Sequence, residues 1–307
     1  MQASTGPYTV TLRSDVIVVI VLFDADVVLD VPARRRSAMS GLSARTVLEH
    51  DGVQITDVAC RQPPGRGHRE EAGHHAVVLV RRGCFVRGAD GADHVLDPTR
   101  AYCINPGQEQ RYDHPHHHGD DCTSVRLDAS LLASLWGGDP TLPTAPLPSP
   151  PWIDVEHRLL LTAARRGTTR HELFERTISL TGALLAQANS RRVGSGRPAR
   201  ARARKLLVDA VREAMAADPA TSLPDLAATL GVSSYHLSRT FRAATGHTIA
   251  RHRMRLRVRS ALERLAAGEH DLARLAAEIG FVDQSHLCRV IRSETGQVPS
   301  ALRRALG

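Results

Sequence analysis

The chain has 307 residues, 42% of them hydrophobic, which is enough for two apolar cores without a disulfide or metal staple. Forty basic residues against 32 acidic give a net charge of +8. The longest apolar stretch, Val16 to Phe23, is far short of the roughly 20 residues of a membrane-spanning helix, which excludes a helical membrane protein.

The charge is unevenly placed. Residues 1–188 hold 19 Arg and 22 acidic residues, whereas residues 199–307 hold 18 basic and 10 acidic ones. The surplus therefore falls in the C-terminal third, as expected for a domain that meets nucleic acid, although a solvated basic surface would read the same way on charge alone. Lys205 is the single lysine; the other basic residues are arginine, which pairs bidentately with phosphate and guanine. Five cysteines, an odd number without dense pairing, favour a reducing cytoplasm over a secreted scaffold. The N-terminus lacks the basic region and cleavage site of a signal peptide. Residues 1–38 read as an extension, with Arg34, Arg35 and Arg36 leading to Met39, an alternative start.

Residues 39–135 form the first domain. From about Val47 to Leu127, short Val/Leu/Ile runs alternate with Gly, Pro and Asp turns. VQITDVAC, HHAVVLVRRGCFVRG, HVLD, AYCINPG and CTSVRL read as strands of an antiparallel β-sandwich or barrel. Residues 136–151 are a proline-rich extended connector. Residues 152–189 turn helical, with one stripe of Leu159, Leu160, Ala163 and Ala164. A second stripe of Leu173, Phe174, Ile178, Leu180, Leu184 and Leu185 follows a break at Gly167, and this segment is the expected dimer contact. SRRVGSGRP, 190–198, is a basic linker, and residues 199–307 are helical throughout.

An internal repeat of about fifty residues is the strongest signal. Leu223, Leu226, Ala227, Leu230 and Gly231 return 49 positions later as Leu272, Leu275, Ala276, Ile279 and Gly280. The spacing i, i+3, i+4, i+7 is the core face of a short helix, and the glycine permits a sharp exit. Beyond the turn the offset becomes 50: Leu237, Arg239, Phe241, Arg242, Thr245 and Gly246 return as Leu287, Arg289, Ile291, Arg292, Thr295 and Gly296. Ser222 and Asp271 are placed to cap the first helices, Ser233 and Asp283 the second. Each copy is a helix-turn-helix, a plan whose second helix enters the major groove. Between the copies, Met254, Val258, Ala261, Leu262 and Leu265 mark a linker helix, with Arg251, Arg255 and Arg259 on another face as phosphate contacts or as a solvated surface.

The segments LPDLAATLGVSSYHLSRTFRAATG and LARLAAEIGFVDQSHLCRVIRSETGQVPSALRR resemble the two halves of the AraC/XylS family DNA-binding domain. The resemblance implies an α+β chain: an N-terminal cupin-like antiparallel β-barrel with dimerisation helices, and a C-terminal all-α domain of two helix-turn-helix units joined by a linker helix. It carries base contacts onto Tyr235, Ser238 and Arg239 in the first unit and Gln284, Ser285, His286 and Arg289 in the second. Arg242 and Arg292 become phosphate contacts. Packing or capping is the competing role for Tyr235 and His286. A homodimeric, effector-responsive regulator of transcription on double-stranded DNA is implied, by family analogy an activator working with RNA polymerase.

The first domain resembles a cupin loosely, through PPGRGH and INPGQEQRYDH. A metal cupin wants two histidines one residue apart and then a glutamate; here His74 and His75 are adjacent and Ala76 stands near the glutamate position. Yet half of the 16 histidines fall between His68 and His118, and HPHHHGDDC gathers His114, His116, His117, His118, Asp120, Asp121 and Cys122. His114, His116, His118 and Cys122 are candidate ligands for Zn or another transition metal. Cys60, Cys84 and Cys103, spaced about one hairpin apart, are candidates for an effector or thiol site, or else ordinary core residues. The polar barrel interior is the expected place for a small-molecule or metal effector. A metal- or thiol-responsive regulator, a metal-dependent cupin enzyme with a DNA-binding appendage, and an effector-free architectural protein are the alternatives. No nucleophile, base and orienter stand together, so no enzyme activity is expected.

Overall fold

The computed structural model describes residues 41–65, 69–115, 119–136, 138–189 and 198–307. The alternation of small apolar runs and turns produces ten strands in two sheets, every pairing antiparallel. One sheet runs β1 (Leu42–His50), β2 (Val53–Cys60), β9 (Asp120–Leu127), β4 (His75–Arg82), β7 (Arg100–Ile104), β10 (Leu147–Pro148). The other runs β3 (Arg69–Glu71), β8 (Glu109–Asp113), β5 (Phe85–Ala89), β6 (Ala92–Leu96).

Strand β4 is buried on both faces, which is why it reads as an unbroken apolar run rather than an alternating one. Its Ala76, Val78 and Val80 point into the barrel with Phe85, Leu96, Tyr102 and Cys122, whereas Val77 and Leu79 point the other way, against helices. The expected single strand 74–88 is therefore two. Gly83, at φ +87°, breaks it, and β5 crosses to the second sheet. A Cβ at Gly83 would lie 2.3 Å from the carbonyl oxygen of Gly119, so only glycine lets the two loops meet there. In the proline-rich connector Leu147–Pro148 forms an edge strand, where a missing N–H is tolerated.

Ten α-helices follow among the described residues: α1 (Ala129–Trp136), α2 (Pro151–Arg165), α3 (Arg170–Asn189), α4 (Pro198–Ala217), α5 (Leu223–Thr229), α6 (Ser234–Thr245), α7 (Ile249–Ala266), α8 (Leu272–Glu278), α9 (Gln284–Thr295) and α10 (Pro299–Leu306). None of them is long and apolar enough to cross a membrane. The fold is thus an antiparallel β-domain of two sheets followed by a helical domain of two helix-turn-helix units.

Helix α2 is a wedge between the two halves. Ile153, Leu160 and Ala163 complete the core on the outer face of the six-stranded sheet. Val155, with Leu159 at the margin, enters the core of the second helix-turn-helix unit. Helix α3 packs on the barrel through Leu173, Leu180, Leu184 and Leu185, leaving His171, Glu172, Glu175 and Arg176 outward. The apolar stripes of residues 152–189 are accordingly covered from within the chain, and a dimer contact on α3 would have to use a polar face.

Candidate functional site

In the C-terminal domain both units are built the same way. Ser222 and Asp271 accept backbone N–H groups at the starts of α5 and α8; Ser233 and Asp283 do so at the starts of α6 and α9. All four expected caps are formed, and each satisfies orphan donors of a helix start. Gly231 and Gly280 follow the first helices at φ +65° and +81°, left-handed conformations that favour glycine. The turn between α8 and α9 is one residue longer than that between α5 and α6, which accounts for the shift from 49 to 50.

Within each unit one face of the second helix is locked and the other is open. Leu237, Phe241 and Thr245 of α6, and Leu287, Ile291 and Thr295 of α9, are buried. The opposite faces carry Tyr235, 74% exposed, with Arg239 and Arg242, and Gln284, Ser285, Arg289 and Arg292. Ser238 is half-buried beside them. The side chains of the four arginines have no ion pair or hydrogen bond among the described residues. His286 borders this face and also packs inward. It is half-buried, with its ring centroid 5.2 Å from that of Phe281 in an edge-on contact and its Nδ1 enclosed without a partner. It packs the turn as well as bordering the open face.

The linker-helix arginines are engaged elsewhere. Arg251 and Arg255 both reach Glu294 of α9, at 3.1 and 3.4 Å. Arg259 is buried, and its Nε donates to the Pro98 carbonyl at 2.6 Å while its Nη2 donates to that of Ser149. A free phosphate-binding face on α7 is therefore corrected: Glu294 and the first domain already hold these groups.

Asp97, which no sequence pattern marks beyond a turn, anchors the junction of the halves. Its Oδ2 lies 2.5 Å from Arg212 Nη1 on α4 and 3.4 Å from His252 Nε2 on α7, and its Oδ1 accepts from the N–H and hydroxyl of Thr99. Burial works against the charged carboxylate, but Arg212, with His252 and Thr99, outweighs it and holds Asp97 well below the usual carboxylate range. Burial lowers His252 despite this carboxylate. Beside this junction a cleft of about 700 Å³ is lined by Arg100, Arg212, Arg242, His247, Arg251 and Arg255 among others.

The barrel interior is filled and cross-braced. Arg87, almost fully buried, donates to Gln110 Oε1 at 3.0 Å and Gln108 Oε1 at 2.7 Å, and its guanidinium lies 4.8 Å from the Tyr102 ring centre. Tyr112 donates to Gln110 at 2.7 Å. Ala76, fully buried in this cluster, offers no carboxylate, in keeping with the broken cupin motif.

Of the candidate metal ligands, His114 and Cys122 come together and His116 and His118 lie outside the described residues. His114 Nε2 is 2.6 Å from Asp120 Oδ1, and the Cys122 thiol is 3.3 Å from Asp120 Oδ2. Cys60, assigned by spacing to a different group, joins this one: it pairs directly with Asp120 across β2 and β9. The hydrogen bond to Asp120, then the neighbouring Cys60 thiol, raise the His114 imidazole to about 10. Cys84 and Cys103 sit apart. Burial pushes both thiols up, Cys103 to about 12, and Cys103 belongs to the core on the other face of the sheet. A shared site of Cys60, Cys84 and Cys103 is therefore corrected: Cys103 faces the outer core from β7, Cys84 lies in the β4–β5 connection, and Cys60 ends β2 beside Asp120.

A helix-turn-helix domain model matches residues 226–305. Similar solved structures include an apo variant of ToxT from Vibrio cholerae, 10% identical over 85% of this chain and 100% of that one, with a TM-score of 0.37. The cupin domain of an XRE family transcriptional regulator from Enterobacter cloacae is 15% identical over 29% of this chain and 98% of that one, with a TM-score of 0.26. No curated protein matches the chain.

Proposed function

We propose that the chain is a sequence-specific transcription regulator whose two second helices, α6 and α9, read successive major-groove segments on one face of double-stranded DNA. The carrying observation is the pair of unpartnered, exposed arginines at matching places on the two helices, Arg239 with Arg242 and Arg289 with Arg292. An arginine with no internal carboxylate is free to meet guanine or phosphate. In this reading Tyr235, Ser238 and Arg239, and Gln284, Ser285, His286 and Arg289, face bases, while Arg242 and Arg292 meet phosphate. The protein acts in the cytoplasm as a homodimer. The cupin-like domain binds a controlling ligand, and the bound regulator activates transcription with RNA polymerase. Ala76, buried where a metal cupin would carry a carboxylate, supports a regulatory rather than an enzymatic role for that domain.

Footprinting on DNA selected from random sequence tests this. Arg239→Ala and Arg289→Ala should each cost about 1–3 kcal/mol in binding and relax preference in different halves of the site. Loss that is uniform over all sequences would overturn the base-reading assignment.

A further inference from the structure

Cys60, His114 and Asp120 converge as buried donors, and the Cys122 thiol lies beside them, 3.3 Å from Asp120. Cys60 and Asp120 face each other across β2 and β9, and Cys122, two residues along β9, shares their face of the sheet. His114 arrives from the end of β8 in the opposite sheet, where an isolated bridge to Gly65 fixes the backbone. Donor atoms of Cys60, His114 and Asp120 all lie within 4.8 Å of one another, and all four residues are more than nine-tenths buried. Bonds of about 2.0–2.3 Å to N, O and S give tetrahedral edges of about 3.3–3.8 Å, so Cys60, His114 and Asp120 are near closing distance and the Cys122 side chain would turn in to complete the set.

The surroundings hold these groups in place. Arg61 Nη1 donates to the carbonyls of both Cys60 and Asp120 at 2.9 Å, clamping the strand ends that carry two of the donors. A Cβ at Gly119 would lie 2.2 Å from the Cys60 carbonyl oxygen, so the approach of this loop to the strand end requires glycine. Asp120 has no arginine or lysine partner among the described residues; its carboxylate has only His114 and the Cys122 thiol. Its one basic partner is His114, whose ring proton toward Asp120 occupies the place that an ion would take.

We propose that Cys60, His114, Asp120 and Cys122 bind one Zn²⁺ ion at the end of the barrel. The donor set of two sulfurs, one imidazole and one carboxylate suits zinc better than the oxygen-seeking Mg²⁺ or Ca²⁺. Binding replaces the Cys60 and Cys122 thiol protons and the His114 ring proton with bonds to the ion, and these protons leave to solvent. The site is distinct from the cupin motif position, which Ala76 closes. It stands independently of DNA recognition, so either reading can fail alone.

The test is Zn²⁺ titration of the reduced, untagged full chain against a chromophoric chelator, with Co²⁺ as a spectroscopic substitute. One equivalent should bind, and Co²⁺ should give the thiolate charge-transfer and intense d–d bands of a tetrahedral site. Cys60→Ser and Asp120→Asn should each weaken binding by more than about 100-fold, whereas Cys103→Ser, in the other core, should not. A variant with His116, His117 and His118 all changed to Gln should keep the affinity and the spectrum. Should a single variant fail to fold, the Co²⁺ spectrum of the unaltered protein still decides. Absence of tight binding, a Co²⁺ spectrum without thiolate bands, or loss of binding in the triple-histidine variant would overturn the proposal.

Discussion

The two helix-turn-helix units are copies in sequence and in local geometry, but they are attached to the first domain by different physics. The second unit shares an apolar core with α2: Val155 lies among Val258, Leu262, Leu265, Leu275, Phe281, Leu287, Ile291 and Leu302. The core of the first unit, built on Val208, Val211, Met215, Leu226, Leu237 and Phe241, takes nothing from the first domain. Its attachment is through charges on α4, Arg212 to Asp97 and Asp209 to Arg100, and through Lys205, which donates to the Asp93 carbonyl. Apolar contact is indifferent to pH, whereas a charged attachment is lost once its carboxylate is protonated, which Arg212 defers to strong acid at Asp97. A repeated motif can therefore be fixed at one end and adjustable at the other.

The largest expected effect in testing this contrast is at Asp97. Asp97→Ala leaves Arg212 buried without its partner and should cost about 3–5 kcal/mol in chemical denaturation. The double change with Arg212→Met should recover most of that loss. If the single variant is as stable as the parent, the charged attachment is not what holds α4. The second effect is a pH dependence at α2. Burial depresses the His157 imidazole to about 3, so the folded state refuses a proton that the unfolded chain takes up below about 6.5. Stability is then full above pH 6.5 and falls as pH drops from there towards 3, by about 2 kcal/mol at pH 5 from this residue alone. Asp154, Arg81 and Arg158 are the charged groups around it. His157→Gln should flatten the slope in denaturation curves at pH 5 and 7, and an unchanged slope would assign the acid sensitivity to other histidines. Smallest is the comparison of caps. Ser233→Ala and Asp283→Ala should each cost about 1 kcal/mol in thermal or urea unfolding. Unequal losses would show that the two copies do not share their local energetics.

Much of the C-terminal domain was legible because its signals are local. Helix spacing, capping residues and turn glycines all act within a dozen positions, and Leu237 or Gly246 carries its role in its neighbours. In the first domain β2 and β9 were equally plain, whereas β3 and β8, written REE and EQRYD, lack the apolar alternation that marks a strand. Burial of the apolar stripes of α2 and α3 was visible, but not against what. The barrel and the second unit proved to be the partners. The zinc candidate was half visible: His114, Asp120 and Cys122 lie close in sequence, but Cys60 joins them only through the β2–β9 pairing, sixty residues away. The Asp97, Arg212 and His252 cluster had no sequence signature at all, since its members meet only when the two domains pack.

The burial of Arg259 has a consequence for the spacing of any DNA site. Helix α7 has 18 residues and is about 27 Å long, somewhat less than the roughly 34 Å rise of one turn of B-DNA. It is the strut between the two reading helices, and Arg259 ties its middle to the carbonyls of Pro98 and Ser149. The strut can neither lengthen nor twist without disturbing the barrel. One base pair inserted between the two half-sites rotates the second by about 35° away from α9. A regulator built this way reads rotational phase as well as sequence, and a site with the right bases at the wrong phase is a different site.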